Sequence, residues 1–411
     1  MINTFDVIVV GGGPGGSTTA AFLAEKYGKK VLLLEKEQFP RDKPCGDAIS
    51  GKSMGVLTEL GIKTDIESTN PIKTHGVVLS SPKGVVLDIP FKSKDPNRHS
   101  YGYVCKRFIY DNILFQHTKG LKNVTTIEKF QVNDLLYDGT QIVGVIGKNL
   151  DSGKEMQFTA KVVVGADGAN GFVAGKLGVG GFDDNHRVIS IRAYYDGVKG
   201  MKPAIEIHFV KSLIPGYFWI FPLNDHEANV GVGMIASDMK KLKMNLQKEM
   251  LEIITNHHVF KERFKDAKLV SDIKGWNLPL GSKIRKCAGN GYVLVGDAAS
   301  LIDPFSGEGI GNAMYSGRLA AQIINKAFEK NNFTITTLAE YETTLREELT
   351  PELKTSYYLQ KLGQNQLLLN WVIEKAATKE SVREILSGML ANTKAKKGLV
   401  NPLFYLKLLL S

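Results

Sequence analysis

Three glycines near the start of the chain have the spacing of a phosphate-binding turn. In "VVGGGPGG", Gly11, Gly13 and Gly16 lie between the strand "FDVIVV" and a helix predicted over about residues 15–27. The first glycine permits a tight turn, the second lets a pyrophosphate approach the backbone, and the third packs helix against strand. An acid that binds ribose hydroxyls is expected at the end of the next strand, "KVLLLE". The pattern predicts an adenine dinucleotide site made of Gly11, Gly13, Pro14, Gly15, Gly16, Glu35 and Lys36.

A second candidate group surrounds the first cysteine, Cys45, in "DKPCGDAIS". Three roles are open to it: a small buried side chain, a backbone contact to a cofactor that includes Gly46 and Ala48, or a thiol that donates a proton. The chain has three cysteines, odd in number and widely spaced, and eight histidines that form no metal-like cluster. These spacings fit neither a disulfide framework nor a CxxC metal site, and no metal is predicted.

Aromatic residues alternate along the segment "YFWIFPL". Because successive side chains of a strand point to opposite faces, Tyr217, Trp219 and Phe221 are expected on one side, with Pro222 after them. Two interpretations stay open. The aromatic residues either pack into a sheet core or form the apolar wall of a substrate site.

The elements that must position these residues form an α/β pattern. The chain opens with a βαβ unit, and residues 76–91 have strand composition broken by a Pro-Lys-Gly turn. Several β-rich segments between about residues 188 and 234 predict one antiparallel sheet. The strand "GYVLVGD" and the helix after "GEGIGNAM" return to the first pattern, and the remainder is mostly helical. A Rossmann-like nucleotide-binding domain interrupted by a second sheet is therefore predicted.

The segment "GYVLVGDAASLIDPFSGEGIGNAM", residues 291–314, resembles the second FAD motif of the flavoprotein superfamily typified by p-hydroxybenzoate hydroxylase. The resemblance implies FAD as cofactor, with Asp297 holding the ribityl chain and a helix aimed at the flavin ring. That helix start comprises Gly309, Ile310, Gly311 and Asn312. "CKRFIYDNIL" resembles the superfamily's arginine helix and implies a cofactor contact for Arg107. "VGADGANG" resembles its DG motif and implies the same for Asp167 and Gly168.

Within that superfamily, "DKPCGDAIS" and "PGYFWIFPLNDHEANVGVGM" resemble the geranylgeranyl reductase family from about residue 5 to 325. The resemblance implies saturation of C=C bonds in a polyprenyl lipid by hydride from reduced FAD, with Tyr217, Trp219, Phe221 and Pro222 against the substrate and Cys45 as the catalytic candidate. A FAD-dependent aromatic or lipid monooxygenase or epoxidase on the same fold is the alternative, and a flavin-bound lipid carrier is a third reading. Gly171 and Ala174 replace the serine and arginine usual after the DG pair, so NAD(P)H and ferredoxin both remain candidate electron donors.

These patterns predict a FAD-binding domain in three parts, an antiparallel-sheet substrate domain and a helical C-terminal region. The FAD-binding parts are residues 1–75, 101–180 and 276–330, the substrate domain comprises an insertion at 76–100 and residues 181–275, and the helical region is 331–411.

The formal net charge of +10 favours anionic partners. Residues 361–411 hold half of this charge together with "LLLNWVI" and "LFYLKLLL", so the tail predicts either a helical subdomain with its own core or a basic surface that rests on membrane lipid. No apolar run reaches the roughly 18 residues needed to cross a bilayer. The expectation is a cytoplasmic protein or one peripheral on the inner membrane face, with no nucleic-acid partner.

Overall fold

The computed structural model describes residues 3–91 and 101–391. Two predicted segments lie outside this part of the chain. They are residues 392–411, the leucine-rich end of the tail predicted to meet a membrane, and residues 92–100 of the predicted insertion.

The strands are β1 (Asn3–Thr4), β2 (Val7–Val10), β3 (Val31–Leu34), β4 (Ala48–Ile49), β5 (Ile72–Thr74), β6 (Gly76–Ser80), β7 (Val86–Pro90), β8 (Gly102–Val104), β9 (Val124–Ile127), β10 (Phe130–Asp138), β11 (Gln141–Asn149), β12 (Glu155–Thr159), β13 (Val162–Gly165), β14 (Arg187–Asp196), β15 (Ile205–His208), β16 (Tyr217–Pro222), β17 (Ala228–Ile235), β18 (Lys268–Leu269), β19 (Lys274–Pro279), β20 (Ala288–Gly289) and β21 (Tyr292–Leu294). The helices are α1 (Pro14–Glu25), α2 (Gly51–Glu59), α3 (Lys63–Glu67), α4 (Arg107–Lys119), α5 (Phe172–Lys176), α6 (Ala236–Lys241), α7 (Leu246–Asn256), α8 (Lys261–Phe264), α9 (Ile310–Glu329), α10 (Ile335–Leu362), α11 (Gln366–Thr378) and α12 (Glu380–Ala391).

The first sheet is a parallel core in the order β20-β21-β13-β2-β3-β9, with only the β20–β21 pair antiparallel. Strands β2, β3 and β13 are buried along their whole length. Continuous Val and Leu runs of this kind suit a parallel sheet covered on both faces. Helices α1 and α9 pack against each other beside it. The predicted α/β fold is thereby confirmed.

The second sheet has the order β18-β14-β17-β16-β15-β6-β7, and β19 also pairs with β14. All pairs are antiparallel except β15 with β6. The antiparallel segments predicted between residues 188 and 234 are present. The sheet is wider than that prediction, because strands from both earlier and later in the chain complete it.

Two smaller sheets and the C-terminal helices complete the fold. The order β4-β8-β5 forms a small antiparallel sheet whose first strand directly follows the Cys45 turn, and β1-β12-β11-β10 forms the other. Helices α11 and α12 pack on β7 through Leu87, Ile89, Ile373, Ala376 and Leu386. The residue boundaries given above for the domains remain predictions. Within residues 3–91 and 101–391, no helix combines the length and apolarity that crossing a bilayer requires.

Candidate active site

A large cavity of about 1490 Å³ separates the parallel core from the second sheet. One side is lined by the turns at the carboxyl ends of the parallel strands, which is where open α/β sheets bind ligands. The other side is one face of the eight-stranded sheet, together with Leu359 and Leu386 of the C-terminal helices. Ligand cavities typically measure about 300–1,000 Å³, so this one has room for a dinucleotide and a second molecule.

The glycine turn leaves the backbone open to the cavity at one position. A Cβ atom on Gly16 would lie 1.8 Å from the Gly11 carbonyl oxygen, so the third glycine is needed for the close approach of helix and strand. A Cβ atom on Gly13 would meet only Arg41 Nη2, at 3.6 Å. The backbone at Gly13, at the positive end of α1, and the Arg41 guanidinium thus offer donors to a pyrophosphate.

Glu35 is positioned by the same turn. Its carboxylate accepts hydrogen bonds from the Gly12 N–H at 2.6 Å and the Glu37 N–H at 2.8 Å, and it lines the cavity beside Lys36. A carboxylate oxygen has more than one lone pair, so Glu35 can still accept from ribose hydroxyls.

Two arginines meet at one buried acid behind this turn. Asp111 accepts from Arg107 Nε at 2.5 Å, Arg107 Nη2 at 2.6 Å and Arg41 Nη1 at 2.7 Å. Burial alone would raise the pKa of Asp111, but the charges of Arg107 and Arg41 outweigh it and lower that pKa. The acid thereby fixes both guanidinium groups at the cavity wall. Arg107 was predicted as a cofactor residue, whereas Arg41 was missed because no motif includes it.

The DG segment carries an acid with an unused oxygen. Asp167 Oδ2 accepts from the Val173 N–H at 2.9 Å, while the buried Oδ1 has no hydrogen-bond partner among the described residues. Burial raises the pKa of Asp167 to about 6. A Cβ atom on Gly171 would lie 2.3 Å from that Oδ1, so a larger residue at this position would require Asp167 to move. An orphaned acceptor that lines the cavity fits a hydroxyl-rich ligand.

The downstream motif brings Asp297, Gly309 and Ile310 to the same cavity, where Asp297 forms an ion pair with Lys43 at 3.2 Å. Asn312 has a different place. It is buried within the first turn of α9, donating to the Leu301 carbonyl oxygen at 2.7 Å and accepting from Lys52 Nζ at 2.7 Å.

The Cys45 turn is clamped between the small sheet and the aromatic strand. Asn229 Nδ2 donates to the Cys45 carbonyl oxygen at 2.7 Å, and a Cβ atom on Gly46 would lie 2.8 Å from Phe221 Cε2. The Cys45 thiol interacts electrostatically with Arg107 and with Tyr217. Its side chain is only partly buried and lines the cavity.

Asp47 is the buried centre of this clamp. It adopts a left-handed φ of 64° and accepts from Tyr194 Oη at 2.9 Å, Asn229 Nδ2 at 2.7 Å and the Arg107 N–H at 3.2 Å. Burial raises the pKa of Asp47 to about 6, although the hydrogen bonds from Asn229 and Tyr194 act in the opposite direction. Sequence reasoning did not assign this residue to the site. Its one signal in the sequence was an acid directly after the Cys45-Gly46 pair.

The aromatic residues of β16 lie on one face of the strand, the arrangement their alternation predicted, and that face meets the cavity. Tyr217, Trp219 and Phe221 all line it, and Trp219 Nε1 donates to Asn229 Oδ1 at 2.9 Å. A Cβ atom on Gly231 would lie 2.2 Å from Trp219 Cζ2, so the indole lies flat across the neighbouring strand.

Most of the predicted site residues therefore share one cavity. Those that line it are Gly11, Gly13, Pro14, Gly15, Glu35, Lys36, Cys45, Gly46, Ala48, Arg107, Asp167, Gly168, Asp297, Gly309, Ile310, Tyr217, Trp219 and Phe221. Gly16, Gly311, Asn312 and Pro222 do not line it. Within the described chain, no group of three or more His, Cys, Asp and Glu side chains could hold a metal ion.

The residues present fit FAD. One wall of the cavity carries four features that suit this cofactor. They are the open glycine turn, the two guanidinium groups fixed by Asp111, the Glu35 carboxylate placed for ribose, and the Asp167 oxygen that has no partner among the described residues. These are the donors and acceptors that a pyrophosphate and polyhydroxyl chain need.

Comparison with known proteins agrees with this geometry. The family described as FAD binding domain matches residues 4–347. A digeranylgeranylglycerophospholipid reductase of Methanocella arvoryzae is 30% identical over 88% of both chains, and a menaquinone reductase of Mycobacterium tuberculosis is 29% identical over 78% of this chain and 76% of its own. A geranylgeranyl bacteriochlorophyll reductase-like structure from Thermoplasma acidophilum covers 91% of both chains with a TM-score of 0.80 and 25% identity. The chain belongs to the geranylgeranyl reductase family of FAD-dependent oxidoreductases.

Proposed function

We propose that this enzyme saturates C=C bonds in the polyprenyl chain of a lipid. The observation that carries the proposal is a dinucleotide-binding wall facing an aromatic and aliphatic floor across one cavity. When bound and reduced, FAD supplies a hydride for one carbon of the alkene. The floor on the opposite side is lined by Tyr217, Trp219, Phe221, Ile205, Ile207, Val77, Leu79 and Ile89.

An apolar floor suits this chemistry because an isolated alkene develops no oxyanion for the protein to stabilise. Catalysis then depends on holding the alkene in a fixed geometry and on excluding water. The indole of Trp219 is held by Asn229 and packs across Gly231, so the floor is rigid where the alkene would lie. In this proposal Tyr217, Trp219 and Phe221 contact the substrate, with Pro222 supporting the end of their strand.

The second hydrogen has to arrive as a proton. We assign its donation to the Cys45 thiol, which lines the cavity next to Arg107 and Tyr217. The S–H bond breaks as the C–H bond forms, and the guanidinium of Arg107 stabilises the thiolate until solvent returns a proton. Tyr217 is the weaker acid because burial raises its pKa to about 12.

A lipid substrate also calls for a place where the enzyme meets its membrane. The net charge of +10, half of it in residues 361–411, favours an anionic surface. In the described part of that region, Leu367 is 80% exposed at the start of α11. This tail is therefore assigned to the membrane face, with NAD(P)H or a ferredoxin as the electron donor.

Anaerobic turnover tests the proposal. Holoenzyme reduced with dithionite is expected to convert geranylgeraniol, its phosphate or a geranylgeranyl glycerophospholipid to products heavier by 2 Da per reduced bond, read by mass spectrometry. Dithionite without enzyme and unreduced holoenzyme are the controls. A product that gains oxygen, and forms only in air with NAD(P)H, would instead support a monooxygenase. Flavin reoxidation without any saturated product from these prenyl compounds would refute the proposal.

A further inference from the structure

Two side chains of the second sheet present hydrogen-bond donors to the cavity without an acceptor. Arg192 on β14 is 2% exposed and lines the cavity, yet its Nε and Nη1 have no hydrogen-bond partner among the described residues. Trp276 on the neighbouring strand β19 also lines the cavity, and its buried Nε1 is likewise unpartnered within the described chain. We call Arg192 and Trp276 the sheet donors. Because unpaired buried donors are costly, a bound molecule has to supply acceptors to them.

The Arg192 guanidinium is held in one orientation. Its Nη2 donates to Asp42 at 2.5 Å, and its Cζ lies 4.2 Å from the centroid of the Tyr194 ring. Tyr194 in turn donates from its Oη to Asp47 at 2.9 Å. A planar guanidinium that is bonded to an acid and stacked on an aromatic face has little freedom left. The free Nε and Nη1 therefore have fixed positions at the cavity wall.

The charges around Arg192 are balanced. Asp42 also accepts from Lys274 Nζ at 3.0 Å, and the buried Asp47 carboxylate interacts electrostatically with Arg192. Two acids thus stand beside two cations. The group that meets the sheet donors has to accept hydrogen bonds, but it need not be an anion. A hydrocarbon chain offers no acceptors and does not meet this requirement.

The sheet donors lie next to the cofactor wall. Lys43 Nζ is 5.6 Å from the centroid of the Trp276 ring and pairs with Asp297 at 3.2 Å. Asp42, the partner of Arg192, lies three residues before Cys45. The downstream motif assigns Asp297 to the ribityl chain, and the isoalloxazine ring follows that chain in FAD. The carbonyl oxygens and unprotonated nitrogens of this ring are neutral acceptors of the kind that the sheet donors lack.

The floor beside the sheet donors is low enough for a flat ring. In one row of directly paired residues, Trp276 lies opposite Ser190, and Gly233 and Tyr217 follow. Directly paired residues share a face of the sheet, and all four line the cavity. The two residues in the middle of the row are small. This stretch can therefore take a planar group between Trp276 and Tyr217.

We propose that Arg192 and Trp276 bind the isoalloxazine ring of FAD from the second sheet and stabilise its reduced state. Hydrogen bonds donated to ring oxygen or nitrogen atoms favour the electron-rich reduced ring over the oxidised ring, which raises the reduction potential. The sheet that forms the floor of the cavity thereby also tunes the cofactor. This inference concerns FAD and does not depend on which substrate the enzyme reduces.

The first test measures the reduction potential of the flavin in the holoenzyme, under anaerobic conditions and against a reference dye. Arg192→Met should shift the balance of reduced and oxidised FAD about tenfold toward the oxidised form, which is a potential about 30 mV more negative for a two-electron couple. Trp276→Phe keeps an aromatic ring without the N–H and should shift it in the same direction by less. If Arg192→Met holds no FAD, the potential of Trp276→Phe decides.

Arg187→Met is the matched control. Arg187 lies on the same strand as Arg192 and also has a buried Nε without a partner among the described residues, but it does not line the cavity. Its replacement should leave the potential unchanged, even where the lost ion pair with Asp184 lowers the melting temperature. An equal shift of the potential in both variants would reduce the effect to a general loosening of the sheet and overturn the proposal.

Release of FAD is the second measurement. Holoenzyme is diluted, and the rise of flavin fluorescence gives the release rate. Arg192→Met should release FAD about 10- to 100-fold faster, the loss typical of a charged hydrogen bond, and Arg187→Met should not. Faster release with an unchanged potential would place the donors at the ribityl or phosphate part of FAD, and no change in either quantity would leave them to another ligand. Both results would overturn the proposal. Neither measurement uses a prenyl compound, so this inference and the proposed function can fail independently.

Discussion

At the scale of single residues, Cys45 has the surroundings of a reactive group. The other two cysteines, Cys105 and Cys287, are buried, and burial raises the pKa of Cys105 to about 11. Cys45 instead opens to the cavity and lies beside the Arg107 guanidinium. A neighbouring cation stabilises a thiolate, which is the state that remains after a proton is given away. Of the three roles that the sequence leaves open for Cys45, these surroundings favour proton donation.

Cys45→Ser is expected to keep FAD and lose rate. A hydroxyl is a much weaker acid than a thiol, and general acid catalysis contributes about 10²–10⁴-fold, so kcat should fall at least 100-fold with KM nearly unchanged. Flavin absorbance gives the FAD content, and product formation under anaerobic conditions gives kcat. Cys287→Ala is the control, because that thiol lies in the core beside Glu342. Full turnover by Cys45→Ser with bound FAD would exclude the thiol as the proton donor.

At the scale of elements, the Cys45 turn and strand β16 act as one unit. Gly46 contacts Phe221, Asn229 bridges the Cys45 carbonyl to Trp219, and Asp47 ties β17 to the start of α4. The turn therefore takes its position from a strand about 170 residues later in the chain. These contacts are the physical reason why the Cys45 motif and the aromatic motif of β16 form one site although they are far apart in the sequence.

Gly46→Ala tests that contact. The added methyl group would lie 2.8 Å from Phe221 Cε2, so the turn or the ring must move. We expect turnover to fall at least tenfold because a displacement of about 1 Å near reacting groups can cost that much and more. The double variant Gly46→Ala/Phe221→Leu, with a smaller side chain at the contact, should recover part of the loss relative to Phe221→Leu alone. Gly175→Ala in α5, where a Cβ atom meets nothing within 4 Å, should leave turnover unchanged. An unaltered Gly46→Ala enzyme would show that the turn does not depend on β16.

Local pattern was sufficient for the parts of the site that lie within one motif. The glycine turn, the alternation of Tyr217, Trp219 and Phe221, and the downstream helix start could each be recognised from spacing. Arg41, Asp47 and Asn229 could not, since their roles come from pairing between distant segments. The partner of Asp47, for example, is 182 residues away at Asn229. Register across a sheet sets such contacts, and a single sequence does not specify it.

At the scale of the whole molecule, the wide sheet joins the FAD-binding wall to the C-terminal helices. Strand β7 lines the cavity through Ile89, pairs with β6, and packs against α11 and α12. Leu386 of α12 and Leu359 of α10 also line the cavity. The apolar end of the cavity is therefore close to the described helices α10, α11 and α12 of the C-terminal region. In the proposed function, an entering prenyl chain would reach Leu79, Ile89 and Ile207 from the side assigned to the membrane.

Vesicle binding tests that arrangement. The enzyme is expected to sediment with vesicles of equal parts phosphatidylglycerol and phosphatidylcholine at about 50 mM salt, and to be released at about 500 mM, because surface attraction is screened by salt. Replacing Lys394, Lys396 and Lys397 with Gln should lower the bound fraction several-fold, since each basic residue near an anionic surface contributes about 1 kcal/mol. Replacing Lys199, Lys202 and Lys268 removes the same charge from the exposed margin of the second sheet and should have little effect. Equal loss in the two triple variants would indicate attraction by net charge alone, and equal binding to pure phosphatidylcholine would contradict an electrostatic membrane face.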